Sequence, residues 1–282
     1  MKAFGLTFRI AGSALLLLAL QALWGRVWTG RRFGPVMGPP ILSCIFVVLA
    51  LALVASSSHH RGWKLSSTLF ILYFGINHLN TLNEALLFNL RLTPREIFRL
   101  MASGFCTAVI FTPLLVLILG YWKGPAEEAV RPLVPRTKAN WAVRIVLGDI
   151  LYVVCFVIAG LAVSPFVRDF YAGIKMPSPL SVLAMEVLRG LIYVGAGLAV
   201  ASGMKGERGN SAVALGLSFP VLAGVAPLLL HNPYMPDYVR LAHGFEIGIS
   251  NLVYGALLGY ILTRKGVPPD EIKPAEGAEP LR

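Results

Sequence analysis

The chain has 282 residues, 56% of them hydrophobic and 14% charged, with a mean hydropathy of +0.70. A soluble domain carries about 25% charged residues, so this composition excludes an ordinary soluble fold and points to one polytopic membrane domain. The formal charge of +11 is spread over short loops between apolar runs, which is the pattern of membrane topology signals. It leaves no soluble basic face and excludes nucleic acid as a partner.

Taken in chain order, eight runs approach the roughly 20 mostly apolar residues that a spanning helix needs: 7–25, 40–58, 66–88, 97–121, 141–163, 179–202, 211–230 and 244–263. The expected fold is all-α, a polytopic transmembrane helical bundle of about eight spans in residues 1–265. Residues 266–282, with Pro268-Pro269, Lys273-Pro274 and Glu279-Pro280, read as a short disordered tail. The first run also fits a signal peptide, with Met1-Lys2 before the apolar stretch 14–20 and a cleavage site at Leu20-Gln21-Ala22. Its removal would leave seven spans in unchanged orientation.

Orientation follows from the basic residues. With the N-terminus inside, fifteen Lys and Arg fall in inside segments and nine outside, Arg189 lying within a span. The expectation is a multi-pass protein of the cell (inner) membrane with both termini cytoplasmic. The cluster Arg91/Arg95/Arg99 runs against that bias. Cys44, Cys106 and Cys155 each sit in an apolar run without paired spacing, as small fillers of helix contacts.

Ionisable and amide residues inside the spans fall on stripes. In the third span Tyr73, Asn77, Asn80, Thr81 and Glu84 lie within about 100° of one another at helical spacing, flanked by His78 and Asn83 and continued by Arg91. A lipid-facing helix does not tolerate that density. In the sixth span Glu186 and Arg189 stand at i and i+3, able to pair, with Tyr193 on the same face. Arg189 either completes a structural ion pair or holds an anionic group oriented by Glu186. In the eighth span Arg240, His243, Glu246, Ser250 and Tyr254 share a face, with Asn251 at its edge. The steps Gly244/Gly248 and Gly255/Gly259 favour close helix packing elsewhere on that span. Asp149 in the fifth span reads as a packing or tethering carboxylate, and His231 as a loop residue.

The alternating topology sets the three stripes in outer halves, at one depth. Glu84, Glu186, His243 and Glu246 are the candidate acid–base residues. Asn77, Asn80, Arg189, Asn251 and Tyr254 are the candidate substrate-binding residues, with Arg189 and the amides suited to an oxyanion. The residue types resemble those of the glutamate-dependent CAAX-type intramembrane proteases. The spacing does not, since paired glutamates before a spaced arginine and a His-x-x-x-Asn/Asp helix are replaced by Glu186-x-x-Arg189 and an eight-residue step from His243 to Asn251. Membership of that family is not implied.

HExxH, GxSxG and glycine-rich phosphate loops are absent from the sequence, and no cofactor or metal is assigned. The inner segments 69–74, 194–200 and 252–262 offer only tyrosines as polar groups, which favours a pocket over a path. The resulting expectation is an intramembrane hydrolase or transferase acting on a lipid-borne or membrane-inserted substrate. The alternatives are a transporter, proton-coupled carrier or small-molecule receptor, and a non-catalytic scaffold subunit.

Overall fold

Apolar runs of this length can satisfy their backbone in lipid only as helices or closed barrels, and here they form helices. The computed structural model describes residues 2–30, 37–80, 82–83, 93–124, 136–173, 176–205, 208–230 and 235–263. Among these, eight helical rods form and no sheet: α1 (Lys2–Trp24), α2 (Gly38–Ser57), α3 (Gly62–Tyr73), α4 (Pro94–Leu119), α5 (Lys138–Ala172), α6 (Pro179–Ala201), α7 (Arg208–Pro220) and α8 (Asp237–Thr263). Wider π-type turns extend three of them, at Gly25–Thr29 after α1, Phe74–Leu79 after α3 and Val221–Val225 after α7.

Seven of the rods are long and apolar enough to cross a membrane, α3 standing apart, so the chain is a multi-pass membrane protein. The last described turn of α3 carries Asn77, His78 and Asn80, which the bundle shelters from lipid. The first rod is an integral part of the bundle. Its Ser13, Ala14 and Leu17 are buried where α1 packs on α2 and α4.

Contacts between distant loops gather one set of helix ends on a single face. His59 N–H donates to the Gly203 carbonyl at 2.7 Å, Lys205 N–H to Ser57 at 2.9 Å and Gly62 N–H to Tyr121 at 3.1 Å. Arg9 on α1 reaches the Leu119 carbonyl at 2.9 Å, and Arg136 the Leu262 carbonyl at 2.8 Å. Both described ends of the chain therefore lie on this face. The arginines act alike on helix ends. Arg9 caps α4, Arg136 and Arg144 cap α8 through Leu262 and Ile261, and Arg240 reaches Leu230 beyond α7. Helix C-termini leave carbonyls without partners and carry partial negative charge, which a guanidinium satisfies.

Glycine decides the closest helix approach. A Cβ on Gly255 would stand 2.5 Å from the Leu215 carbonyl oxygen, and one on Gly259 2.6 Å from that of Ser211. The backbones of α7 and α8 thus touch along this pair of glycines. Gly248 has open space around it, so the Gly244/Gly248 step is not a packing seam.

Two rods outrun their predicted bounds. α5 covers Lys138–Ala172 where 141–163 was expected, and α8 begins at Asp237, not at residue 244. Charge at the ends obscured both, because Arg168, Asp169 and Asp237 are exposed helical residues that a window for apolar spans discards. The nine extra residues at the end of α5 bring Tyr171 into the bundle.

Candidate functional site

Three short signals position the elements around the site. Thr137 caps α5 by accepting from Asn140 N–H at 3.2 Å, Ser178 caps α6 from Ser181 N–H at 3.2 Å, and Pro179 sits in the first turn of α6. These are preferred helix-start residues. Between α6 and α8, covered by α5, lies a cavity of about 310 Å³. Its polar wall comes from Asn80 after α3, Tyr171 on α5, Glu186 and Arg189 on α6, and His243, Glu246, Ser250, Asn251 and Tyr254 on α8. Val163, Val167, Val182, Leu228 and Phe156 supply apolar wall.

At one end, a chain of hydrogen bonds crosses from α8 to α5. His243 Nδ1 lies 2.5 Å from Glu246 Oε2, and its Nε2 lies 2.8 Å from the Tyr171 hydroxyl. With the Glu246 carboxylate accepting from Nδ1–H, Nε2 is the acceptor of the Tyr171 proton. A carboxylate, an imidazole and a hydroxyl in that order form the geometry by which an enzyme removes a proton from an attacking oxygen. Gly160 on α5 passes close to the other carboxylate oxygen, and a Cβ there would come 3.6 Å from Glu246 Oε1.

Deeper in, Arg189 Nη1 touches both oxygens of Glu186, at 3.1 and 3.2 Å, and the two residues are 6% and 1% exposed. Asn251 donates to the Ile247 carbonyl at 2.9 Å, which fixes its carboxamide with the oxygen free. Asn251 Oδ1, Asn80 Oδ1 and the Tyr254 hydroxyl are buried without a hydrogen-bond partner. Buried polar groups almost always have partners, so these three leave hydrogen-bonding capacity on the cavity wall for a water or a ligand.

The cavity ends on an aromatic floor. Tyr152 packs tilted on Tyr193 at 4.8 Å and edge-on against Tyr254 at 5.1 Å, and Phe219 lies 5.0 Å from Tyr193. Beneath it the seam is tight: Leu258 fills the space beside Gly148 and Gly197. From His243 to Tyr254 the cavity follows eleven residues of α8, roughly 16 Å at 1.5 Å per residue. Its lining runs from Met176, Met235 and Tyr171, near helix ends, to Tyr193 and Tyr254 partway along α6 and α8.

Of the predicted site residues, Asn80, Glu186, Arg189, His243, Glu246, Asn251 and Tyr254 line this one cavity. Asn77 is not among them: its Nδ2 donates to the Leu222 carbonyl of α7 at 2.8 Å. The reason is the π-type turn at Phe74–Leu79, which holds more residues per turn than the 100° spacing assumes and rotates Asn77 away from Asn80. Glu84, Thr81, Arg91 and His231 lie outside the described residues. His78 is packed against Gly104, where a Cβ would stand 2.6 Å from its Nδ1, and Asp149 lies against Gly190 without lining the cavity.

Tyr171 is the residue that sequence reasoning missed. The available signal was the run Arg168-Asp169-Phe170-Tyr171, whose aromatic pair continues α5 past its charged last turns. Among the described residues no group of three His, Cys, Asp or Glu side chains is arranged to hold a metal ion. Comparison with protein-family models, with characterised proteins and with solved structures returns no match.

Proposed function

We propose that the chain is an intramembrane enzyme, a hydrolase or transferase acting on a lipid-borne or membrane-inserted substrate in the cavity between α5, α6 and α8. The observation that carries this reading is the Glu246–His243–Tyr171 chain lining an otherwise largely apolar cavity. Nε2 of His243 takes the proton of a hydroxyl, from water or Tyr171, as that oxygen attacks an acyl or phosphoryl centre. The same nitrogen then returns the proton to the departing oxygen or nitrogen. Glu246 holds the ring and balances the imidazolium charge, while Arg189 and Asn251 face the substrate deeper in. A carrier would need a polar route past the floor, and Tyr152, Tyr193, Tyr254 and Phe219 fill that level.

The lysines and arginines further support an inner-membrane location with both termini cytoplasmic and the His243 end of the cavity toward the outer side. The test is conversion of lipid extracts by the full chain in proteoliposomes, followed by mass spectrometry. Wild type is expected to convert a substrate that His243→Gln and Glu246→Gln leave intact. Movement of an unaltered solute across the vesicle wall, without any conversion, would replace this reading with the carrier.

A further inference from the structure

Among the described residues, every charged side chain on the cavity wall already has a partner. Arg189 holds both oxygens of Glu186 at 3.1 and 3.2 Å, and His243 lies 2.5 Å from Glu246. An anion beside Arg189 would also meet the Glu186 carboxylate, and a cation beside Glu186 would meet the Arg189 guanidinium. A charged ligand would therefore lose its hydration on entry without gaining an unpaired counter-charge. The hydrogen-bonding capacity that remains is uncharged. Asn80 Oδ1, Asn251 Oδ1 and the Tyr254 hydroxyl lack partners, and these residues are 5%, 5% and 0% exposed. Asn251 spends its Nδ2 on the Ile247 carbonyl, so what it lacks is a donor. Tyr254, three residues further along α8, can both donate and accept.

Resting on the reading of this cavity as a substrate site, we infer that it takes an uncharged lipid alcohol, its hydroxyl bonded to Asn251 and Tyr254 and its hydrocarbon body against the apolar wall. A hydroxyl donates to Asn251 Oδ1 and accepts from the Tyr254 phenol at once. An ammonium can only donate and a phosphate dianion can only accept. Asn80, brought to the same wall from the turn after α3, offers a further acceptor. Val163, Val167, Val182, Leu228 and Ile247 line the space for hydrocarbon. Burial of that body supplies affinity, and the few polar groups supply the choice of ligand.

The test is thermal unfolding of the purified full chain in phosphatidylcholine nanodiscs at neutral pH. The discs are titrated with probes of one chain length: dodecanol, dodecyl phosphate, dodecylamine and dodecane. Dodecanol is expected to raise the melting temperature at concentrations about tenfold or more below those of the others, because a site built to hydrogen-bond a hydroxyl rejects analogues lacking it. Ethanol carries the hydroxyl without the chain and separates a lipid from a free small alcohol. An ethanol effect as strong as that of dodecanol would overturn the lipid source.

Asn251→Leu and Tyr254→Phe are expected to cancel the dodecanol shift while unliganded protein melts no lower than wild type, because each removes an orphaned polar atom. Water alone on this wall, or dodecanol acting only through the bilayer, would leave the wild type and both variants responding alike and would overturn the inference. Equal stabilisation by dodecyl phosphate, dodecylamine or dodecane would overturn the uncharged hydroxyl. His243→Gln separates this inference from the proposed reaction, since it is expected to lose conversion and retain the dodecanol shift. Loss of conversion in that variant without any dodecanol effect in wild type would sink the alcohol and leave the reaction standing.

Discussion

Tyr171 near the end of α5 and His243 on α8 stand 72 positions apart in the chain and share a 2.8 Å hydrogen bond at the end of the cavity farthest from the aromatic floor. Glu246, one turn on from His243, completes the chain at 2.5 Å. On the proposed reading, removing the phenol separates catalysis from folding. Tyr171→Phe is expected to slow conversion by about 10²–10⁴-fold, the usual share of positioned acid–base groups. The same change should cost only about 1 kcal/mol of stability, the net worth of one hydrogen bond. Single-turnover rates and thermal melts of the same preparation check both halves.

Backbone contact between α7 and α8 makes a second expectation. Gly255→Val places two methyl groups into the Leu215 carbonyl region, where even a Cβ stands 2.5 Å from oxygen. Rigid backbone on both sides leaves nothing to give, so a loss of about 1–3 kcal/mol or more is expected. Gly248→Ala, with open space around it, should stay within about 0.5 kcal/mol of wild type. Thermal unfolding in detergent compares the pair, and equal losses would refute the seam.

Asn77 and Asn80 are neighbours in sequence with opposite expected phenotypes. Asn77→Leu leaves the Leu222 carbonyl of the α7 π-type turn without its 2.8 Å donor, and a loss of about 1–3 kcal/mol follows from an unsatisfied buried acceptor. Conversion per folded molecule should be unchanged. Asn80→Leu should spare stability and weaken substrate binding. A KM rise confined to the Asn80 variant, beside a melting loss confined to the Asn77 variant, is the pattern to look for.

Acidification should loosen the face that carries the chain ends. His59 and His60 follow α2, and burial holds both imidazoles below their ordinary value of 6.5, helped for His60 by the charges of His59 and Lys64. A histidine depressed in the folded state stabilises the fold above its unfolded value, and that contribution fades as pH falls through the folded one. The melting temperature should therefore drop as pH goes from about 7 to 5, the range in which histidine titrates. His59→Gln/His60→Gln is expected to flatten the curve. An unchanged slope in the double variant would assign the pH response to other groups.

Much of the molecule was legible because helices are local. Eight apolar runs give eight rods, and Glu186/Arg189 and His243/Glu246 pair at i and i+3 because the helix itself brings them together. Boundaries were less legible where exposed charges prolong a rod, as Arg168 and Asp169 do in α5. Asn77 lies off the cavity for a different reason: its face depends on a π-type turn, and its side chain bonds to another such turn after α7 rather than to any residue beside it.

The sequence by itself determined the membrane setting, the helical rods and the polar face each rod carries, because composition and 3.6-residue periodicity act within one segment. Tertiary structure alone decided which faces meet. It joined Tyr171 to His243, sent Asn77 toward α7, and brought Tyr152, Tyr193 and Tyr254 together on the cavity wall. Those outcomes depend on how closely glycines let rods approach and on which carbonyls are left needing donors, quantities that exist only once the helices have packed.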